Sequence, residues 1–182
     1  MSDAEDRKLI RTCLKGDKAI YERLIEKYQK PLFNVALRIT GDYEDARDIT
    51  QTVFVNAYDR LRSYSPKFKF FSWIYRMAVN ESLNVVNRKK LTVGMDRECV
   101  SGESTPEDDF RSNQSRQRVE DAVGALPLDY RVAVILRYWI DLPYRDIAYI
   151  LDIQEKTVKS RLYTARRMLA EVFVKQGITT NE

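Results

Sequence analysis

The stretch "LPYRDIAYILDIQEKTVKSRLYTARRMLAEVF", Leu142 to Phe173, decides the fold of this chain. Pro143 suits the first turn of a helix, where its missing N–H is not needed. Apolar residues at helical spacing form the buried face of that helix, namely Ile147, Ala148, Ile150 and Leu151. After a turn at residues 152–154, a second helix has the apolar face Val158, Leu162, Ala165, Leu169 and Val172. This pattern predicts a helix-turn-helix, whose second helix enters the major groove of DNA.

The second helix carries cations and hydroxyl groups on the side away from its apolar face. Opposite that face lie Lys156, Ser160, Tyr163 and Arg167, and on its flanks lie Lys159, Arg161 and Arg166. Upstream, "ALPLDYRVAVILRYWIDL" predicts a packing helix that leaves Arg131 and Arg137 free to contact phosphate. An ordinary helical hairpin with a charged outer face is the alternative interpretation.

The first half of the chain also has helical periodicity. An apolar pattern begins at Leu9, continues across a predicted break at Pro31 and ends at Gly41, after which Asp42 is a good N-cap. The next helix has the core stripe Ala46, Ile49, Val53, Ala57 and Leu61. Its opposite side carries Asp48, Gln51, Thr52, Val55, Asp59 and Arg62. Val55 is therefore either a single exposed valine or part of a protein-docking face.

The stretch "KFKFFSWIYRMAVN", Lys67 to Asn80, holds five aromatic side chains between cations. A helix that starts near Phe71 would bury Ile74 and Met77 together with some of the rings. The rings point in different directions, so others must line a surface beside Lys67, Lys69, Arg76, Arg88, Lys89 and Lys90. Rings and cations together form a surface for unstacked bases, and a purely structural core is the alternative.

Charge and composition restrict the class of protein. Residues 60–90 hold eight basic side chains and one acidic one, and residues 155–182 hold six and three. Between them, residues 91–115 are acidic and lack a helical period, which predicts a linker. Two basic segments indicate two contacts with a polyanion. The chain has no histidine and no glycine-rich phosphate loop, so we expect no enzyme, no metal site and no cofactor.

Further features bear on compartment and fold. Cys13 and Cys99 are isolated, as expected of free thiols in a reducing compartment. The acidic start "MSDAEDRKLIR" does not fit a signal peptide, and no apolar run is long enough to insert into a membrane. We therefore expect a cytoplasmic all-α protein with two small helical domains, an N-terminal bundle and a C-terminal helix-turn-helix, joined by a flexible acidic linker. The predicted boundaries are 1–90 and 113–182, with the linker at 91–112.

Three stretches in this order resemble the ECF (extracytoplasmic-function) sigma factors of bacterial RNA polymerase. "DARDITQTVFVNAY" resembles the segment that docks on the clamp helices of the polymerase. "FFSWIYRMAVNESLNVVNRKK" resembles the segment that reads the −10 promoter element. "LPLDYRVAVILRYWIDLPYRDIAYILDIQEKTVKSRLYTARR" resembles the domain that reads the −35 element. The similarity covers nearly the whole chain.

The resemblance implies roles for particular residues. The polymerase-binding residues would be Asp48, Gln51, Thr52 and Val55. The −10 residues would be Phe68, Trp73, Tyr75, Arg76, Asn80, Asn84, Arg88 and Lys89, with Tyr75, Arg76 and Asn80 matching the pattern YR-x-x-x-N. The −35 residues would be Arg137, Lys156, Thr157, Lys159, Ser160, Arg161, Tyr163, Arg166 and Arg167. The turn "DIQEKT" has Lys156 where the family has glycine, and Thr164 stands at a frequent arginine.

The resemblance also implies partners. A protein of this family would bind core RNA polymerase and promoter DNA, both as duplex and as melted single strand, and an anti-sigma factor would hold it inactive. One alternative is a helix-turn-helix transcriptional regulator that acts on duplex operators. It would need a dimerisation surface or a ligand domain, for which the first half offers no sign. Another alternative is an adaptor or anti-sigma protein that works by protein contacts only.

Overall fold

The computed structural model of the chain describes residues 3–93 and 110–175. These form eight α-helices in the order α1 (Asp3–Leu14), α2 (Ile20–Thr40), α3 (Tyr43–Asp59), α4 (Phe70–Val93), α5 (Phe110–Gly124), α6 (Leu128–Val134), α7 (Tyr144–Leu151) and α8 (Glu155–Lys175). A 3-10 turn follows α3 at Leu61–Ser63, and a π-helical segment follows α6 at Ile135–Trp139. Within these two described ranges there is no β-strand, which confirms the all-α prediction.

The first four helices pack around one apolar core. Helix α2 lies at its centre, with Leu24, Tyr28 and Leu32 fully buried against α3 and α4. Gly41 ends α2 in the left-handed conformation, φ 72°, and its N–H donates to the carbonyl of Leu37. A glycine adopts this φ without the steric cost that a Cβ would bring. The predicted end of this helix is therefore confirmed.

The predicted break at Pro31 is wrong, because α2 continues through this residue. Proline removes one N–H from the helix and crowds the carbonyl four residues earlier, at a cost of about 3 kcal/mol. The neighbours Tyr28, Leu32 and Val35 are completely buried. The burial of these side chains offsets the local cost, since each large apolar side chain contributes about 1.5–3 kcal/mol.

Helices α6, α7 and α8 form the predicted helix-turn-helix group. Pro143 is the residue immediately before α7, and Asp152 ends α7 at φ 56°. Ile147, Ile150 and Leu162 are fully buried between the helices. Leu151, Leu169 and Val172, predicted to be buried, are only partly so. The turn at residues 152–154 lies where the sequence predicts it.

The two helical groups contact each other through α2, α4, α6 and α7. Arg131 links them, because its guanidinium donates to the carbonyls of Ile39 and Leu126. The prediction that Arg131 is free to contact phosphate is therefore wrong. The predicted linker, 91–112, lies mostly outside the described residues, and α4 and α5 each extend three residues into it. The domain boundaries stay a prediction.

Candidate nucleic-acid interface

The exposed face of α8 carries most of the residues predicted to read the −35 element. Lys156, Lys159, Ser160, Tyr163 and Arg167 are exposed, and Thr157 is half-buried. Tyr163 is an exposed aromatic residue, with 60% of its surface accessible. The apolar residues Val158, Leu162 and Ala165 hold the other side of α8 in the core. The N-terminal half of α8 thus presents amines, a hydroxyl and a ring on one surface.

Three arginines predicted for the same surface make ion pairs or hydrogen bonds within the protein. Arg161 is half-buried and pairs with Asp129 of α6 at 2.9 Å. Arg137 donates to Asp141 and to the carbonyl of Leu142. Arg166 is exposed, but its Nε donates to the carbonyl of Leu162 in the same helix. In this conformation these guanidinium groups are engaged within the protein, and their role in reading the −35 element stays a prediction.

A second polar surface runs along α4. Arg76 is half-buried, and Asn80, Asn84 and Arg88 are exposed at four-residue spacing, so they follow one side of the helix. The carboxylate of Glu81 lies 3.7 Å from the guanidinium of Arg88. The side-chain amides offer both donors and acceptors, which suits the edges of unpaired bases. This surface contains four of the predicted −10 residues.

The aromatic cluster at the start of α4 divides as its spacing indicates. Phe70 is fully buried against Tyr28 and Tyr64. Trp73 is half-buried beside Tyr64, and Phe68 is 42% exposed just before α4. Part of the cluster is therefore core, and Phe68, Phe71 and Trp73 are its rings that reach the surface.

Tyr75 is not one of these surface rings. Its side chain is 1% exposed and packs on Phe71, with ring centroids 4.1 Å apart. Burial also raises the pKa of its hydroxyl, because the phenolate would lose its hydration. The expectation that Tyr75 faces a melted strand is corrected here, since its position on α4 points into the bundle with Ile74 and Ala78.

The predicted docking residues form a continuous stripe on α3. Asp48, Gln51, Thr52 and Val55 are all exposed, and their spacing of three and four places them on one side of the helix. Val55 is 62% exposed, which makes it an apolar residue within a polar stripe. Next to this stripe, α3 and α4 border an open groove of about 390 Å³ lined by Asp45, Asp48, Ile49, Thr52, Glu81, Val85, Arg88 and Lys89.

Lys89 lies at the edge of this groove between two carboxylates. Its Nζ is 2.6 Å from Asp45 and 3.1 Å from Asp42. The hydrogen bond to Asp45 is the main reason why the pKa of Lys89 is raised. The pKa of Asp42 is lowered, chiefly because it accepts the backbone N–H of Asp45 and then because of Lys89. Lys89 is thus a cation already paired within the protein.

The sequence interpretation missed Asn87, which is exposed near the end of α4. Lys69, which the sequence placed beside the aromatic cluster but not among the −10 residues, lies next to Phe68 and is exposed. Among the described residues, no cluster of three or more acidic or cysteine side chains could hold a metal ion. No helix in the described ranges is long and apolar enough to cross a membrane.

The chain matches two family models in order. Residues 24–92 match Sigma-70 region 2, and residues 116–169 match Sigma-70 region 4. It is 31% identical to the ECF RNA polymerase sigma-E factor of Escherichia coli strain K12, over 90% of this chain and 92% of that protein. It is 28% identical to the ECF RNA polymerase sigma factor SigW of Bacillus subtilis, over 90% of this chain and 94% of that protein.

Solved structures show the same fold. CnrH, solved in complex with the cytosolic domain of CnrY, superposes with a TM-score of 0.72 at 20% identity, over 93% of this chain and 97% of that one. The sigma factor RpoE from Bartonella quintana, solved with the anti-sigma factor NepR, gives a TM-score of 0.68 at 20% identity. That match covers 84% of this chain and 96% of the other.

Proposed function

The chain belongs to the ECF family of RNA polymerase sigma factors, and we propose a division of its work among three surfaces. The α3 stripe at Asp48, Gln51, Thr52 and Val55 binds the clamp helices of core RNA polymerase. The α4 surface at Arg76, Asn80, Asn84 and Arg88, together with Phe68 and Trp73, holds the melted strand of the −10 element. The α8 surface at Lys156, Lys159, Ser160, Tyr163 and Arg167 reads the −35 element.

The observation that carries this proposal is the exposed surface of α4 beside the α3 stripe. A regulator that binds only duplex operators needs neither unpaired amides and rings at a helix surface nor a separate protein-docking stripe next to them. A flipped base, in contrast, needs a ring to stack on and amide groups to pair with its edge. Asn80 and Asn84 supply the amides, and Phe68 and Trp73 supply the rings.

The two DNA-contacting surfaces use different chemistry. Lys159 and Ser160 are exposed in the first two turns of α8, which in a helix-turn-helix are the turns that contact base edges. Lysine pairs with guanine in the major groove, whereas a hydroxyl pairs with several bases. Such contacts do not require the duplex to open. The chain therefore binds duplex at one end and single strand at the other.

The protein carries no catalytic group of its own in this scheme, and acts in the cytoplasm on the polymerase. An anti-sigma factor holds it inactive until a signal arrives, a proposal supported by RpoE, a protein of the same fold that was solved in complex with the anti-sigma factor NepR. The first experiment is retention of purified core polymerase by the immobilised full-length chain. We expect stoichiometric retention that free chain competes away, and no retention would overturn the proposed function.

A further inference from the structure

The first turn of α8 presents an acid beside a lysine. Glu155 is the first residue of the helix and Lys156 the second, and both side chains are exposed. In the part of the chain that the structure describes, no ion pair or hydrogen bond engages the carboxylate of Glu155 or the amine of Lys156. Arg161, further along the helix, is in contrast paired with Asp129. The first turn therefore offers one free acceptor and one free donor to the molecule that α8 approaches.

The direction of these two side chains follows from the buried side of α8. Val158 and Leu162 lie in the core. Lys156 lies on the opposite side of the helix, in line with the exposed Ser160 four residues later. Glu155 lies about 100° around the helix from Lys156, because one turn has about 3.6 residues. Both side chains therefore project from the N-terminal end of the surface that we propose reads the −35 element.

A carboxylate at this place has few favourable partners on DNA. The phosphates repel it, and in the major groove only the amino groups of cytosine and adenine donate hydrogen bonds. A glutamate accepts a hydrogen bond from N4 of cytosine, whereas a lysine donates to O6 and N7 of guanine. Glu155 and Lys156 together thus match a stretch of duplex that presents a cytosine amino group close to the acceptors of a guanine.

We propose that Glu155 selects a cytosine and Lys156 a guanine at the end of the −35 element that the first turn of α8 reaches. The inference rests on the proposed role of α8, and it adds Glu155 to the residues that determine promoter specificity. Lys156 supplies attraction to the DNA. Glu155 supplies discrimination, because a duplex without an amino group at that position leaves an unpaired carboxylate facing a polyanion.

The alternative is a purely structural role for Glu155. An acid in the first turn of a helix interacts favourably with the positive end of the helix dipole. That role does not distinguish one DNA sequence from another, so removal of the charge would raise the affinity for every duplex alike. A role in base reading instead predicts that the gain depends on the base at one position. The two roles therefore differ in a quantity that can be measured.

The test uses holoenzyme formed from purified core polymerase and the full-length chain. The probe is a pool of duplex promoter DNA that is randomised across the −35 element, and the bound fraction is sequenced to give the preference for each base at each position. For wild type we expect a preferred guanine and a preferred cytosine within about two base pairs of each other. This spacing follows because adjacent Cα atoms lie about 3.8 Å apart and adjacent base pairs about 3.4 Å apart.

Two substitutions should change both preference and affinity, with opposite signs in affinity. Glu155→Gln should lower the preference for cytosine about tenfold in favour of adenine, with which an amide pairs, and should raise the affinity for the whole pool about two- to threefold. Lys156→Gln should replace guanine by adenine at its position and lower the affinity for the pool by a similar factor. The matched controls Glu26→Gln and Lys30→Gln make the same changes at exposed positions of α2, and should leave every base preference unchanged.

A third variant, Glu155→Asp, keeps the negative charge at the start of α8 but shortens the reach of the carboxylate. It should lose the cytosine preference, whereas a purely structural role predicts the behaviour of wild type. The inference is overturned if Glu155→Gln changes the affinity for all sequences alike, if Glu155→Asp keeps the wild-type preference, or if Lys156→Gln still selects guanine. Each of these results would leave retention of core polymerase, and so the proposed function, intact.

Discussion

Lys89, near the end of α4, donates a hydrogen bond to Asp42, the residue that caps the N-terminus of α3, across 3.1 Å. It also lies 2.6 Å from Asp45 in the first turn of α3. This bridge connects the helix of the proposed docking stripe to the helix of the proposed single-strand surface. The bridge therefore joins the two helices that carry these proposed surfaces.

Removal of the cap should destabilise the protein more than removal of the charge. Asp42 accepts the N–H of Asp45 at 3.0 Å, which satisfies a donor that the helix itself leaves unpaired. Asp42→Ala should lower the free energy of unfolding by about 1 kcal/mol. Asp42→Asn retains a capping oxygen and should cost less. Equal losses from both substitutions, measured by urea unfolding at pH 7, would show that the ion pair matters and the cap does not.

The same bridge predicts a dependence of stability on pH. The folded pKa of Asp42 is lowered, so its contribution is present above the unfolded value of about 3.9 and is lost as pH falls through the folded pKa. The folded pKa of Lys89 is raised, so its contribution is lost as pH rises through that value. The stability advantage of wild type over Asp42→Asn should therefore shrink below about pH 4. A difference that stays constant from pH 7 to pH 3 would contradict this.

The docking stripe should act on polymerase binding and not on folding. Asp48→Ala/Gln51→Ala should weaken the affinity for core polymerase while changing stability by no more than about 0.5 kcal/mol, because both side chains are exposed. The control Asp17→Ala/Gln29→Ala removes the same two residue types at exposed positions away from α3. A loss of affinity in the control as large as in the stripe variant would remove the stripe from the interface.

Substitutions of two residues on α4, Tyr75 and Asn80, should have different effects, one on stability and the other on DNA binding. Tyr75→Ala leaves a cavity in the core and should cost about 3–5 kcal/mol of stability, whereas Tyr75→Phe keeps the ring and should cost less. Asn80→Ala should leave thermal unfolding nearly unchanged and weaken binding of polymerase holoenzyme to a promoter with a pre-melted −10 bubble. A stable Tyr75→Ala variant with impaired bubble binding would return Tyr75 to the single-strand surface.

Substitutions of two neighbouring residues in α8 should differ in how they change the preference for promoter sequences. Ser160→Ala removes an exposed hydroxyl, and should alter the preference at one −35 position by about 1–3 kcal/mol if a base edge is read. Arg161→Ala removes a cation that already pairs with Asp129, so it should affect stability slightly and all promoters alike. The measurement is the transcription rate on −35 variants. A sequence-specific effect of Arg161→Ala larger than that of Ser160→Ala would contradict the assignment.

Local sequence signals predicted the helix ends and the apolar faces well. Gly41 ends α2 because glycine adopts the left-handed backbone conformation of a C-cap, and Asp42 begins α3 because its side chain caps the helix. The predicted break at Pro31 was wrong because proline's local cost is offset by burial of its helix neighbours against α3 and α4, which lie elsewhere in the sequence. Helix propensity is a property of the single residue, whereas tertiary packing decides whether the helix continues through it.

Contacts between segments distant in sequence could not be predicted from periodicity. Arg131 and Arg161 look like surface cations in sequence, and only the fold brings the Ile39 carbonyl and Asp129 to them. The stack of Phe68 on Tyr149 joins residues 81 positions apart, which no local pattern contains. For Tyr75, the family pattern indicated a surface role, while its direction on α4 places the ring in the core.

The central claim is that this chain gives core RNA polymerase its promoter specificity, and run-off transcription tests it most directly. The template is a library randomised at both promoter elements, transcribed by purified core polymerase with and without the full-length chain. We predict transcripts from defined start sites only when both are present, with Asn80→Ala changing selection at the −10 element and Ser160→Ala at the −35 element. The absence of any start site dependent on the chain, or its tight binding to a duplex operator without polymerase, would contradict the claim.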